Sequence, residues 1–178
     1  MTPQLSRRGI DAPASPIRRL MPHADAARSR GVAVHHLNIG QPDIPTSSTM
    51  RAAYRAYAEE VVAYSPSQGT ASLRAALAGY CADNHLHGAL AEVTPDQILV
   101  TVGGSEALLF TIAAACDPGD AILVAEPYYT NYRGFAHLLG CSVVPIVTTA
   151  ADRFAVQPER VRAELAANPK IRAFVVPS

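Results

Sequence analysis

From Thr94 onward the chain alternates between two kinds of apolar pattern. Short runs rich in Ile, Val and Leu fall at 97–102, 120–125, 142–147 and 171–176, and segments with helical apolar spacing lie between them at 105–115, 130–139 and 157–167. Strands separated by such helical segments are joined by crossovers rather than hairpins, and a crossover leaves the strands parallel. The alternation therefore predicts an α/β fold, with a mainly parallel sheet covered by helices on both faces. It forbids an antiparallel hairpin of 120–125 with 142–147. The punctuation agrees: "DPGD" at 117–120 is a turn, and Asn168–Pro169 closes the last helix.

The N-terminal part follows another pattern. Residues 1–22 are rich in Pro and Arg and lack periodicity, which reads as an extended or disordered arm. "HADAARSR" at 23–30 reads as a short helix ended by Gly31. Met50, Ala53, Tyr54, Tyr57, Ala58, Val61 and Val62 recur at helical spacing, with Ser47 or Ser48 placed to cap them. "YSPSQG" interrupts this helix, and a second begins near Ala71 with Leu73, Leu77, Tyr80 and Cys81 on one face.

Composition excludes several partners. The 178 residues carry 15 basic and 15 acidic side chains, with no basic block, so nucleic acid and anionic membrane are poor partners. The apolar runs fall well short of the roughly 20 residues that span a bilayer. The N-terminus has no apolar core of a secretory signal. Cys81, Cys116 and Cys141 sit singly in apolar surroundings and read as reduced core thiols of a cytoplasmic protein, without a disulfide framework. The histidines offer no metal site: His35 and His36 point oppositely if extended, and His85 and His87 lie two apart on a helix.

Two segments carry chemistry. In "QILVTVGGSEALLF", 97–110, a strand ends in Gly103–Gly104 and a helix begins at once. Glycines permit close approach to the backbone, and a helix start offers N–H groups and a positive dipole end, a combination that suits a phosphate. The other reading is a tight turn with Ser105 as cap and Glu106 as a favourable first-turn acid. In "AEPYYTNY", 125–132, aromatic rings follow the next strand. They either floor a planar ligand or cover the helix behind them.

Together with "LNIGQPDIPT" at 37–46 and "AYSPSQGTASLRAAL" at 63–77, these segments resemble, in order and spacing, the pyridoxal-phosphate-dependent aminotransferases of class I/II, fold type I. The resemblance runs from about residue 14 onward. It implies residues 1–46 as an N-terminal arm and the start of a small domain, and 47–178 as the N-terminal part of a large pyridoxal-phosphate domain. It implies that Gly103, Gly104 and Ser105 hold the cofactor phosphate, that Tyr129 stacks on the pyridine ring, and that Tyr64 reaches the phosphate of the partner subunit in a homodimer. Gly40 would lie against the substrate carboxylate. The substrates implied are an amino acid and a 2-oxo acid. Another enzyme of the same fold (a carbon–sulfur lyase or a synthase) and a truncated non-catalytic relative share these segments.

The chemistry of that family needs a Schiff-base lysine. The sequence holds one lysine, Lys170, against fourteen arginines. Lys170 precedes the last predicted strand, whereas ligands of open α/β sheets lie at the C-terminal ends of strands. A chain of this reading, taken alone, lacks the amine and is expected not to transaminate.

Overall fold

The computed structural model describes residues 3–83 and 92–176. They form two compact units, one of residues 1–36 with 104–178 and one of 37–103.

The first unit is built on three strands. These are β1 (Ala121–Glu126), β2 (Ser142–Val147) and β3 (Ile171–Val175), in the spatial order β2-β1-β3 and parallel throughout. Helix α6 (Asn131–Leu138) connects β1 to β2, and α7 (Pro158–Ala167) connects β2 to β3. The first crossover leads away from β1 and the second returns past it. Two crossovers of one hand must then lie on opposite faces, and the core shows this. Ile122 and Val124 pack with Ile112 of α5 (Gly103–Ala115) and with Tyr132, Phe135 and Ala136 of α6. Ala121 and Leu123 point the other way, to Ile146, Ile171 and Val161 of α7. The five residues from Ala121 to Ala125 are all buried, as expected of a central strand covered on both sides. Pro145 fits because β2 is an edge strand, where a missing N–H removes no ladder bond.

The N-terminal segment is more ordered than its composition suggests. Residues Arg7–Ile10 form α1, capped by Ser6 Oγ, which accepts from Gly9 N at 3.1 Å. Arg8 then ties this turn to α6: its guanidinium donates to Leu138 O at 2.9 Å, and His137 Nε2 meets Arg8 O at 3.1 Å. The helix expected at 23–30 runs from Met21 to Ser29 as α2, and Gly31 ends it at φ +76°.

The second unit holds α3 (Ser48–Arg55) and α4 (Ala71–Asp83). The periodic pattern from Met50 to Val62 predicts a longer helix than is found. α3 ends at Arg55, and Tyr57, Val61 and Val62 are exposed beyond it. Periodicity marks a face, but only packing holds a short helix in water, and Met50 and Tyr54 are exposed among the described residues. His85 and His87 lie outside the described residues.

The strand expected at 97–102 is not formed. Thr94 to Gln97 make a capped turn, in which the Gln97 side chain accepts from Thr94 N at 2.9 Å. Ile98 is extended, at φ −107° and ψ 126°, but extension alone is not a strand. Val100 N donates to Gln68 O at 3.0 Å instead of to a ladder neighbour. Leu99 and Val102 are exposed, and the run is not buried on both faces as its composition suggests.

Candidate active site

The path of the chain locates the functional edge of the first unit. Helix α5 runs into the 116–120 turn and β1 runs back from it, so the start of α5 lies at the C-terminal edge of the sheet. β1 has its successor β2 on one side and β3 on the other. This reversal is where open α/β sheets bind ligands.

Gly103 begins α5 at φ +78°, a conformation that costs other residues strain. Its N–H donates to Thr101 O at 2.8 Å, and Thr101 Oγ1 donates to Gly103 O at 3.1 Å. The turn is thus closed from both sides by Thr101. Among the described residues, chain neighbours and the helix's own backbone aside, nothing lies within 4 Å of where a Cβ would sit on Gly103 or Gly104. Ser105 is exposed in the first turn. A helix start leaves its first N–H groups without intrahelical acceptors, so the backbone of Gly104 and Ser105 and the Ser105 hydroxyl face open space with donor character. Such donors suit a phosphate group.

Tyr129 stands three residues beyond the last residue of β1. The three tyrosines that follow this strand divide their work. Tyr132 is buried in the core, and Tyr128 lies nearly parallel to it, with ring centroids 6.3 Å apart. These two cover the helix. Tyr129 stands perpendicular to Tyr132 and is 47% exposed, with its hydroxyl accepting from Asn131 Nδ2 at 2.6 Å. Tyr129 is therefore the ring of the three available to a planar ligand. Asn131, which fixes that ring, and Thr101, which fixes the glycine turn, had no mark in the sequence: each is a common polar residue whose partner only the fold supplies. Residues 13–16, the 126–128 segment and α6 also enclose a cavity of about 420 Å³, lined by neither the glycine turn nor Tyr129.

Gly40 and Tyr64 belong to the second unit. Gly40 is exposed, with nothing among the described residues within 4 Å of a Cβ position beyond its chain neighbours, and the Tyr64 side chain is fully exposed. Lys170 lies where the sequence places it. Its carbonyl accepts from the N–H of Ala121, the first residue of β1, at 2.9 Å, so it belongs to the N-terminal edge of the sheet. That is the opposite edge from Gly104 and Tyr129. Among the described residues no cluster of His, Cys, Asp and Glu suits a metal, and no helix is long and apolar enough to cross a membrane.

The family model of aminotransferase class I and II matches residues 33–178. The chain belongs to the class I and II aminotransferases. This aminotransferase chain is 38% identical over 153 residues to the aspartate/prephenate aminotransferase of Thermus thermophilus, covering 85% of itself and 38% of that relative. To the aspartate aminotransferase of Streptomyces avermitilis it is 34% identical, covering 87% of itself and 38% of the relative. Its backbone superposes on a Thermus thermophilus aspartate aminotransferase double mutant with a TM-score of 0.85 and 36% identity, covering 98% of this chain and 44% of that one. On the alanine aminotransferase of Pyrococcus furiosus the TM-score is 0.85 at 28% identity, over 96% of this chain and 43% of the other. The aminotransferase chain thus spans less than half the length of these relatives, and its fold is, in part, that of these fold type I enzymes.

Proposed function

We propose that this chain is the N-terminal portion of a pyridoxal-phosphate-dependent aminotransferase that moves an amino group from an amino acid to a 2-oxo acid. The observation that carries the reading is the open, positive-φ glycine turn at the start of α5, at the sheet edge that also bears the exposed Tyr129. When bound, pyridoxal phosphate supplies the aldehyde that takes up the amino group and the ring that draws electrons from the substrate. The chain's own residues bind and orient. The backbone N–H groups of Gly104 and Ser105 and the Ser105 hydroxyl donate to the phosphate, and the Gly103 turn lets that phosphate approach. Tyr129 offers its face to the pyridine ring. Tyr64, fully exposed on its own subunit, donates its phenol O–H to the phosphate of the partner in a homodimer. Gly40 lets the substrate carboxylate lie against bare backbone. The names of the relatives support an acidic amino acid such as aspartate as donor. The domain assignment, 1–46 as arm and start of a small domain and 47–178 as part of a large one, belongs to the same proposal.

Binding is the direct test. Titrated with pyridoxal phosphate, the chain is expected to perturb the cofactor's absorbance, inorganic phosphate to reverse the change, and Gly104→Val to abolish it. Binding that phosphate does not displace would overturn the assignment of the glycine turn. Tyr129→Ala is expected to weaken binding by about 1 kcal/mol, roughly fivefold in Kd; an unchanged Kd makes Tyr129 structural.

Lys170 gives an independent check. A Schiff-base amine must be unprotonated at the aldehyde carbon, and an ordinary lysine is protonated at neutral pH. Lys170 is exposed at the wrong edge of the sheet. After addition of pyridoxal phosphate and then borohydride, peptide mapping should show no stoichiometric pyridoxyl label on Lys170. A stoichiometric label there, lost when phosphate competes, would place the site at the other edge of the sheet.

A further inference from the structure

Two of the three cysteines, unremarkable in the sequence, are neighbours in the fold. Cys116 follows α5, its N–H bonded to Ile112 O at 2.9 Å, and its side chain is buried. Cys141 immediately precedes β2 and is half-buried. Two turns bring them together. Gly119 N donates to Gly140 O at 2.9 Å, and a Cβ on Gly140 would lie only 3.2 Å from Pro118 Cβ. Cys141 Sγ donates to Asp117 O at 3.5 Å, and its side chain packs on the cluster that contains Cys116. Asp117, whose carbonyl holds the Cys141 thiol, is the residue next to Cys116 in the chain.

We propose that Cys116 and Cys141 form a dithiol site that a low-molecular-weight disulfide, such as oxidised glutathione, converts into an intramolecular disulfide joining the end of α5 to the start of β2. The electrons balance in two exchanges. The Cys141 thiolate attacks one sulfur of the glutathione disulfide, forming a mixed disulfide and releasing one glutathione thiolate. Cys116 then attacks Cys141 Sγ and releases the second. Two protein thiols are oxidised, one disulfide is reduced to two thiols, and the protons of Cys116 and Cys141 end on the released glutathione.

Cys141 reacts first because it is the more exposed of the two. Burial holds both thiols above the ordinary range. Asp120 adds to this at both, Cys141 raises Cys116, Asp117 raises Cys141, and Arg172 opposes at Cys116. The thiolate is the nucleophile, so capture is slow at neutral pH and accelerates as pH rises. Closure by the neighbouring thiol is intramolecular, so the mixed disulfide does not accumulate. Cys81, the lone cysteine of the other unit, has no thiol there to complete the exchange.

Mass spectrometry of the whole chain after incubation with oxidised glutathione tests this. The expected product has lost two hydrogens, yields a Cys116–Cys141 linked peptide, and carries any glutathionyl group only on Cys81. Cys116→Ser is expected to trap the glutathionyl group on Cys141, and Cys141→Ser to prevent the crosslink. The oxidised wild-type chain should melt at a higher temperature, a gain that dithiothreitol reverses. A stable mixed disulfide on Cys141 of the wild-type chain would overturn the proposal. So would the absence of any crosslink under conditions that modify Cys81.

Discussion

Leu123→Ala is expected to destabilise the first unit by about 2–5 kcal/mol, a large share of the stability of any domain. Leu123 is completely buried in the middle of the central strand. It packs with Ala121, Ile146 and Ile171, against Val156 and Val161, and so holds α7 to the sheet. Truncation removes the transfer free energy of the side chain. It also leaves a cavity, because β1 is flanked by β2 and β3 and cannot shift to fill the space. Val102→Ala is the control: its side chain is exposed, and its loss should fall within about 0.5 kcal/mol of zero. Urea denaturation of both variants decides the matter. Equal midpoints for the two would mean that the sheet is not the cooperative core of this unit.

Gly69→Ala is expected to cost about 2–5 kcal/mol in the second unit, where strain and overlap add. Gly69 has φ +93°, and a Cβ there would lie 2.5 Å from Val100 Cγ2 and 2.6 Å from Val100 Cβ. The nearer contact is a side-chain methyl, but the second is at the root of the side chain, so no rotamer of Val100 relieves it. The same place carries the bond from Val100 N to Gln68 O at 3.0 Å. Gly69 therefore fastens the segment that follows Tyr64 to the run that leads into the glycine turn. Arg74 of α4 supports that run from its other end, donating to Pro95 O at 2.7 Å and pairing with Asp96 at 3.2 Å. Hydrogen exchange provides the readout: the Val100 amide should lose protection in Gly69→Ala. Gly40→Ala should leave exchange unchanged, since Gly40 has no positive φ and no neighbour within 4 Å. Retained protection at Val100 in Gly69→Ala would show that the two segments are not held at this point.

The sequence by itself determined the α/β class, three of the four expected strands to within a residue, and the parallel pairing. It did so because the period of apolar residues and the length of the connections are local properties that crossover geometry converts into topology. It also marked the turn at 103–105, since glycine takes the φ of +78° found at Gly103 without the strain it costs other residues, and it singled out Tyr129 through resemblance to a family. What it could not determine depends on partners. Residues 98–102 have the composition of a buried strand, but a strand is a pairing, and their hydrogen bond goes to Gln68. The pattern from Met50 to Val62 describes a helical face, yet α3 stops at Arg55 because helix length is set by what covers that face. The N-terminal arm is pinned by Arg8 and His137, residues 129 positions apart. Cys116 and Cys141 read as unrelated thiols and become neighbours when two turns pack together. Each of these features rests on contacts between residues distant in the chain, which only the tertiary structure decides.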